Sequence, residues 1–159
     1  MLRIGVISDT HNLLRPEAAA FLRGCDHILH AGDVCGPEVL EALRVIAPLT
    51  VVRGNNDRGD WAAGISRTEL VALGGVYFYL VHDIADLDID PASIGVKVVV
   101  TGHSHQPAVV ERQGVVYLNP GSAGPRRFKL PVTAAEVVVE GTSVVARTQL
   151  LVDPATEAR

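Results

Sequence analysis

"RIGVISDTHNLLRPEAAAFLRGCDHILHAGDV", residues 3–34, places an apolar run, a helical stretch and a second apolar run in succession. The helical stretch has Pro16 near its start and Gly24 at its end, where these residues favour the beginning and the end of a helix. Short apolar runs without polar alternation are typical of buried strands in parallel sheets. The stretch therefore predicts a strand–helix–strand unit with parallel strands, covered by helices on at least one face.

The alternation continues over residues 37–54, where PEVLEALRVI predicts a second helix and LTVVRG a third strand. The rest of the chain changes character, because β-rich runs are joined in pairs by turn residues, which predicts hairpins. The three predicted turns lie at Gly74-Gly75, near Gln113-Gly114 and at Glu140-Gly141. IDPASIG is at most a short helix before the strand VKVVV. This order of elements predicts two packed sheets with helices outside.

Length and composition indicate one domain over residues 1–152, followed by a tail, 153–159, that we expect to be frayed. The 48% apolar and 4% aromatic content predicts a core of Val, Leu, Ile and Ala. No apolar run approaches the ~20 residues of a membrane span, and no basic segment precedes an apolar one at the N-terminus. We therefore expect a cytoplasmic protein without a membrane association. Cys25 and Cys35 are too few for a disulfide scaffold.

The net charge of −4 argues against a nonspecific nucleic-acid binder, since such proteins need basic surface to displace counterions from phosphates. It does not exclude a small phosphate-containing substrate, because a bound metal supplies positive charge locally.

Side chains that can bind metals follow five of the predicted strands. The carboxyl ends of parallel strands meet at one rim of a sheet, so these side chains are expected to converge. They are Asp9 and His11, then Asp33, then Asn55, Asn56 and Asp57, then His82, and finally His103 and His105.

The chemistry of this set points to two metal ions. Carboxylate, imidazole and amide groups without a thiolate suit Mn, Fe, Co, Ni or Zn. The ligands are too many for one catalytic zinc, which takes about three, whereas two ions sharing a bridging carboxylate use them all. Gly32, Gly54 and Gly102 precede the ligands and are expected to let the backbone turn sharply.

The ordered motifs resemble those of the calcineurin-like metallophosphoesterases. They are D-x-H at residues 9–11, G-D at 32–33, G-N-x-D at 54–57, the lone His82, and G-H-x-H at 102–105. The short chain and the NPGS of residues 119–122 are similar to the compact YfcE-type phosphodiesterases. The resemblance covers residues 4–150 and implies an α/β fold, a four-layer αββα sandwich of two mixed β-sheets flanked by helices.

The resemblance also implies roles for the individual residues. Two divalent ions are expected, with manganese first and nickel, zinc, iron or cobalt as alternatives. The implied ligands are Asp9, His11 and His105 for the first ion, Asn55, His82 and His103 for the second, and Asp33 as the bridge. A hydroxide between the ions would attack phosphorus, and the residues assigned to catalysis are Asp33, Asn56 and His103.

Two positions depart from the family pattern. Many relatives have a histidine where this chain has Asn56, and an amide cannot act as a general acid near neutral pH. We therefore expect modest rates and a preference for good leaving groups such as aryl phosphates, since general acid–base catalysis contributes ~10²–10⁴-fold. Asp83 follows His82 where relatives often have glycine, and it either orients His82 or faces water, with the second favoured.

Other polar residues have supporting or surface interpretations. Asp57 is expected to accept hydrogen bonds in its turn. His30 is a strand-end residue or a support for the ligands, and His27 is expected to be unrelated to the site. Asn119 and Ser122 are candidates to brace the ligands. The basic residues Arg126, Arg127 and Lys129 either meet the substrate's anion or lie on a solvated loop, the favoured interpretation.

The sequence thus predicts a dinuclear-metal phosphodiesterase that acts on a small phosphodiester. One alternative is a phosphomonoesterase, including a phosphoprotein phosphatase, on the same centre. The other is a metal-binding protein-interaction scaffold similar to the retromer subunit with this fold. A homodimer is expected because relatives pair.

Overall fold

The computed structural model describes residues 1–153 and contains two mixed β-sheets of five strands each. In chain order the elements are β1 (Leu2–Ile7), α1 (Pro16–Leu22), β2 (His27–His30), α2 (Pro37–Ile46), β3 (Leu49–Val51), β4 (Thr68–Leu73), β5 (Val76–Val81), β6 (Val96–Val100), β7 (Ala108–Arg112), β8 (Val115–Asn119), β9 (Thr133–Glu140) and β10 (Ser143–Leu150). Two 3₁₀ turns, Asp60–Ala62 and Ile84–Asp86, complete the helical structure of this part of the chain.

The first sheet has the strand order β10-β9-β1-β2-β3, and β1, β2 and β3 are parallel. Helices α1 and α2 connect these strands and pack on one face of the sheet. There Leu22, Leu40 and Leu43 are buried against Ile7 and Ile28. The spacing of the buried leucines within α2 is that of one helix face. The predicted unit of parallel strands and covering helices is confirmed.

The second sheet has the order β4-β5-β6-β8-β7, with a parallel centre of β5, β6 and β8 and antiparallel hairpin partners at both edges. The two hairpin turns of this sheet contain Gly75 and Gly114, and the β9–β10 turn of the first sheet contains Gly141; their φ angles are 79°, 76° and 62°. Glycine adopts this left-handed backbone without a Cβ penalty. The three predicted hairpins are confirmed, and the segment before β6 is a turn.

The main core lies between the two sheets. Ile4 and Val6 of β1 face Phe78 and Leu80 of β5 across it, because alternate residues of a strand point to the same side. Phe78 is the largest fully buried side chain. Aliphatic side chains fill most of the remaining space, as the low aromatic content predicts.

The outer face of the second sheet is covered by a thin layer. Tyr79, Val81 and Val99 pack there against Leu87 and Ile89, which follow the second 3₁₀ turn. The fold class is therefore confirmed as two packed mixed sheets with outer layers. In the described residues, the fourth layer consists of a 3₁₀ turn and a loop, because the connection from β5 to β6 forms no α-helix.

The packing brings the carboxyl ends of strands from both sheets to one rim. For example, the His103 N–H after β6 of the second sheet donates to Asp9 Oδ2 after β1 of the first sheet at 3.0 Å. This rim is where the candidate site lies.

Two further expectations concern the ends and the surface of the chain. The tail predicted to be frayed, 153–159, lies outside the described residues from 154 onward. Within residues 1–153, no helix has both the length and the apolar character needed to cross a bilayer.

Candidate metal centre

The loops after β1, β2 and β6 hold several non-glycine residues in the left-handed backbone conformation. Such backbone costs about 1–3 kcal/mol per residue and persists only where the surroundings impose it. Elsewhere in residues 1–153, only Gln113 and Phe128 share it. The residues in the loops are Asp9, His11, Asn12, Asp33, Cys35, His103 and His105. Backbone strain is therefore concentrated around the predicted ligands, as is typical of functional sites.

Asp9, His11 and His105 form a first group of possible metal ligands. The Nε2 atoms of His11 and His105 lie 3.7 Å and 3.3 Å from Asp9 Oδ1. One donor atom from each residue lies within 4.8 Å of the others. Asp9 is fully buried, His105 is buried and His11 is half-buried. These are the three residues predicted to hold the first ion.

Asp9, Asp33 and His82 form a second group. His82 Nε2 lies 3.4 Å from Asp33 Oδ2 and 3.9 Å from Asp9 Oδ1. Asp33 Oδ2 is also 3.7 Å from His11 Nε2, so Asp33 borders both groups, as a bridging carboxylate must. The family resemblance implies Asp9 for the first ion alone, whereas the geometry also places it in the second group.

The donor atoms of the two groups fit divalent cations. Buried polar atoms nearly always have a hydrogen-bond partner, and leaving one unpaired costs about 1–3 kcal/mol. Four buried side-chain atoms in the described part of the chain have none: Asp9 Oδ1, His11 Nε2, His82 Nε2 and His105 Nδ1. All four belong to the two ligand groups. Carboxylate oxygen and imidazole nitrogen are donors that first-row divalent ions accept, so the residues suit a pair of such ions.

The proton arrangement on His82 suits a ligand. Its Nδ1 lies 2.7 Å from the Ala31 carbonyl, which can only accept, so Nδ1 carries a hydrogen and Nε2 faces the carboxylates. Burial by itself lowers the pKa of His82, but the close contact with Asp33 and the charges of Asp9 and Asp33 outweigh it and raise the pKa to about 8. A cation that binds here must displace a proton from Nε2 at neutral pH.

Both carboxylates are ionised. Burial by itself raises the pKa of Asp9, but contacts with His105, His11 and Ser8 lower it well below its usual range. The Ser8 hydroxyl donates to Asp9 Oδ2 at 2.6 Å, and the His103 N–H donates to the same oxygen at 3.0 Å. Burial by itself raises the pKa of Asp33, but the contact with His82 and the hydrogen bonds from Asn56 together lower it.

Asn55 and His103 lie at the open edge of the site. His103 is 46% exposed at its side chain, and its Nδ1 is 3.2 Å from Asn55 Oδ1. Its Nε2 lies 3.6 Å from Asp83 Oδ2, so the expectation that Asp83 either orients His82 or only faces water is corrected. Asp83 accepts a hydrogen bond from the Ala85 N–H at 3.0 Å, and its carboxylate also lies beside His103.

Asp57 ties two ligand loops together, which confirms its predicted role as an acceptor. Its carboxylate accepts hydrogen bonds from the N–H groups of Asp33 at 2.9 Å, Cys35 at 2.8 Å and Gly54 at 2.8 Å. The side chain is buried, so these bonds replace water around the charge. The loop after β3 thereby fixes the loop after β2.

Gly54 and Gly102 are required because side chains from other loops lie against their backbone, and not because the chain turns there. A Cβ at Gly54 would overlap Asp33 Oδ1, and a Cβ at Gly102 would overlap the Ser8 hydroxyl and lie 2.6 Å from Asp9 Oδ2. Neither has a left-handed φ angle, whereas Gly32 has one of 102°. The predicted sharp turn is therefore confirmed for Gly32 only, and at the other two positions a carboxylate occupies the space of a side chain.

Asn56 holds Asp33 at both oxygens. Its backbone N–H donates to Asp33 Oδ1 and its side-chain Nδ2 donates to Oδ2, each at 2.9 Å. From the sequence, Asn56 is expected as a metal-capable side chain and as the replacement of a general acid, and not as a support for Asp33. Sequence spacing gives no signal for this contact, which depends on how the loops after β2 and β3 pack.

Asn119 and Ser122 contact the loops that carry ligands, as expected. Asn119 Nδ2 donates to the Gly102 carbonyl at 3.0 Å, and the Ser122 hydroxyl donates to the Asp9 carbonyl at 2.9 Å. These bonds fix the backbone on either side of the site.

His30 is a support behind the site. It is fully buried, and its Nδ1 accepts from the Gly32 N–H at 3.1 Å, so its Nε2 carries the proton that it donates to Thr10 Oγ1 at 3.0 Å. Burial lowers its pKa to about 4, which keeps the ring neutral. His27 is the first residue of β2 and contacts Thr50 of β3. This end of the strands is remote from the carboxyl ends that carry the predicted ligands.

The basic loop after β8 reaches the site through one residue. Arg127 Nη2 lies 3.4 Å from His11 Nδ1. Arg126 donates to the Leu130 carbonyl at 3.3 Å, within its own loop, and Lys129 is exposed. The favoured interpretation of a solvated loop therefore holds for Lys129, whereas Arg127 contacts a predicted ligand.

Known proteins share this sequence pattern and this fold. Residues 2–142 match the calcineurin-like phosphoesterase superfamily domain. A protein of Methanothermobacter thermautotrophicus named "Probable metallophosphoesterase" is 39% identical over 132 residues, which cover 75% of this chain and 76% of that protein. Among solved structures, vacuolar protein sorting 29 (Vps29) from Cryptosporidium parvum has a TM-score of 0.81 at 23% identity, over 96% of this chain and 93% of that chain. A structure described as a novel archaeal phosphodiesterase has a TM-score of 0.76 at 22% identity, over 93% and 100%.

The family match and the sequence relative identify the class of protein as a metallophosphoesterase. The chain belongs to the calcineurin-like phosphoesterase superfamily. The resemblance inferred from the strand-end motifs is thereby confirmed, and the two solved structures show the same fold.

We predict that Gly54→Ala weakens metal binding, because the added Cβ displaces the Asp33 carboxylate. The expected loss of Mn²⁺ affinity is about 10–100-fold, the range found when a ligand's support is disturbed. The measurement is a calorimetric titration of metal-stripped protein, with Gly64→Ala as the matched control, since open space surrounds Gly64. Equal affinities in the two variants would show that Asp33 does not need its present position.

Proposed function

We propose that this chain is a phosphodiesterase that depends on two divalent metal ions. The observation that carries the proposal is the pair of ligand groups that share Asp9, with four buried donor atoms that no described residue satisfies. Each unpaired buried atom costs stability unless a ligand pairs with it, so the site favours a protein that binds cations. A metal-binding scaffold of the same fold would satisfy the same atoms, so hydrolysis of an ester, and not metal binding, separates the two functions.

The residues of the site supply negative charge for metal ions and keep the metal-binding side chains in position. When bound, two divalent ions polarise the phosphoryl oxygens and lower the pKa of a water molecule that attacks phosphorus. Asp9 and Asp33 stay ionised, Asn56 keeps both oxygens of Asp33 in place, and the Ala31 carbonyl orients His82. Asn55 and His103 stand at the open edge, where a substrate enters.

We propose manganese as the first candidate for the ions, with nickel, zinc, iron or cobalt as alternatives. The two groups offer carboxylate oxygen and imidazole nitrogen, a set that suits these ions. Cys35 lies near the site, with its Sγ 3.6 Å from His11 Nδ1, but it belongs to neither ligand group.

A diester is favoured over a monoester by the space beside the site. A diester carries a second substituent on phosphorus that has to lie next to the metals. A cleft of about 740 Å³ borders His82, His103 and Asn55. A small monoester would leave this cleft unused. A solved neighbour described as an archaeal phosphodiesterase accords with this choice.

The test of the proposal compares bis(p-nitrophenyl) phosphate with p-nitrophenyl phosphate, using metal-stripped protein titrated with Mn²⁺, Ni²⁺ and Zn²⁺. We expect diester hydrolysis that saturates near two ions per chain. Asp33→Ala should lose it, since Asp33 borders both ligand groups. Glu41→Gln, on the exposed face of α2, is the control that should retain it.

Each other result points elsewhere. Faster hydrolysis of the monoester would assign the centre to a phosphomonoesterase. Bound metal with neither ester hydrolysed would support the scaffold. Full diester activity in Asp33→Ala would contradict the mechanism.

Asn56 leads to a second prediction, about leaving groups. An amide does not protonate a leaving alkoxide, so an alkyl diester should react far more slowly than an aryl one. We expect Asn56→His to raise the rate on the dinucleotide TpT, relative to p-nitrophenyl thymidine 5′-phosphate, by about tenfold over Asn56→Ala.

Asn56→Ala is the necessary comparison, because both substitutions remove the amide that donates to Asp33 Oδ2. The products are separated by chromatography. An unchanged alkyl-to-aryl ratio in Asn56→His would show that the missing imidazole does not limit this enzyme.

A further inference from the structure

A cleft beside the metal centre is lined by three arginines and four aspartates. It has a volume of about 740 Å³ and borders His82 and His103. The three arginines are Arg53, two residues after the end of β3, Arg58 in the following loop, and Arg67, directly before β4. We call this space the arginine cleft.

The side chains of the three arginines have no hydrogen-bond or ion-pair partner among the described residues. Arg53 is half-buried, and Arg58 and Arg67 are exposed. A backbone bond from the Arg53 N–H to the Ser66 carbonyl, 2.9 Å long, draws the two ends of this segment together. Three guanidinium groups without a side-chain partner therefore line a cleft that also contains four aspartates, and each guanidinium group remains available to bind an anion.

The acidic residues of the cleft come from other parts of the chain or are already engaged. The Asp57 carboxylate accepts hydrogen bonds from three backbone N–H groups, and Asp83 lies beside His103. Asp86 and Asp88 belong to the segment after β5 and can accept hydrogen bonds from hydroxyl or amino groups. The cleft thus offers cationic donors from one segment and acceptors from another.

We propose that the arginine cleft binds the part of the substrate that remains on the scissile phosphate, and that this part carries a second phosphate group. The inference rests on the proposed function, because it takes the scissile phosphate to lie at the metal centre, beside His82 and His103. Three guanidinium groups match a dianion with three terminal oxygens better than a carboxylate with two. Hydroxyl or amino groups of the same substrate would meet Asp86 and Asp88.

The test uses two esters that differ by one phosphate: p-nitrophenyl thymidine 5′-phosphate and the same ester with a 3′-phosphate. We expect wild-type kcat/KM to be about tenfold or more higher for the ester with the 3′-phosphate. The combined variant Arg53→Gln, Arg58→Gln, Arg67→Gln should lose this preference and keep its rate on the simpler ester. Arg44→Gln, on the exposed end of α2, is the control that should keep the preference.

A binding measurement separates this inference from the proposed function. Calorimetry with metal-stripped protein compares thymidine 3′,5′-bisphosphate with thymidine 5′-phosphate. Tighter binding of the bisphosphate by the wild type, lost in the combined variant, supports the cleft even if neither ester is hydrolysed, in which case the phosphodiesterase proposal fails alone. Equal binding of the two nucleotides, or equal kcat/KM on the two esters, overturns the arginine cleft as a phosphate site and leaves the phosphodiesterase proposal standing.

Discussion

The buried carboxylate of Asp9 is the constraint on which the site depends. It is fully inaccessible to solvent and ionised, yet one of its oxygens has no hydrogen-bond partner among residues 1–153. A buried charge is tolerated only when it is paired or coordinates a metal. The surrounding imidazoles and the Ser8 hydroxyl supply part of this compensation, and a cation would supply the rest. The left-handed loops after β1, β2 and β6 place these groups around one point.

The fold makes this arrangement possible because the carboxyl ends of parallel strands from both sheets lie at the same rim. β1 and β2 deliver Asp9 and Asp33 from the first sheet, while β5 and β6 deliver imidazoles from the second. Parallel strands in both sheets are essential, since antiparallel neighbours would send alternate strand ends to opposite edges. The core of Ile4, Val6, Phe78 and Leu80 fixes the distance between the sheets. The geometry of the candidate metal centre is thus set by ordinary sheet packing.

Much of this could be predicted from the sequence. Apolar runs, flanking Pro and Gly, and glycine turns predicted every strand and both α-helices, because these patterns are local. Five of the seven predicted ligands fall in the two ligand groups for the same reason: a strand's end is visible in the sequence, whereas Asn55 and His103 lie at the open edge of the site. What could not be predicted is contact between loops. Asn56 bonding Asp33, Asp83 beside His103 and the sharing of Asp9 all depend on how separate loops pack. The sequence also cannot distinguish a glycine in a turn, such as Gly32, from one that a carboxylate abuts, such as Gly54.

The most direct test of the central claim is the number of Mn²⁺ ions bound by metal-stripped Asp9→Asn and His105→Gln, measured by equilibrium dialysis. Because Asp9 belongs to both ligand groups and His105 to one, the account predicts two ions for the wild type. It predicts one tightly bound ion for His105→Gln and weakening of both ions in Asp9→Asn, on the order of 100-fold. An Asp9→Asn protein that keeps one ion at wild-type affinity would contradict the shared carboxylate.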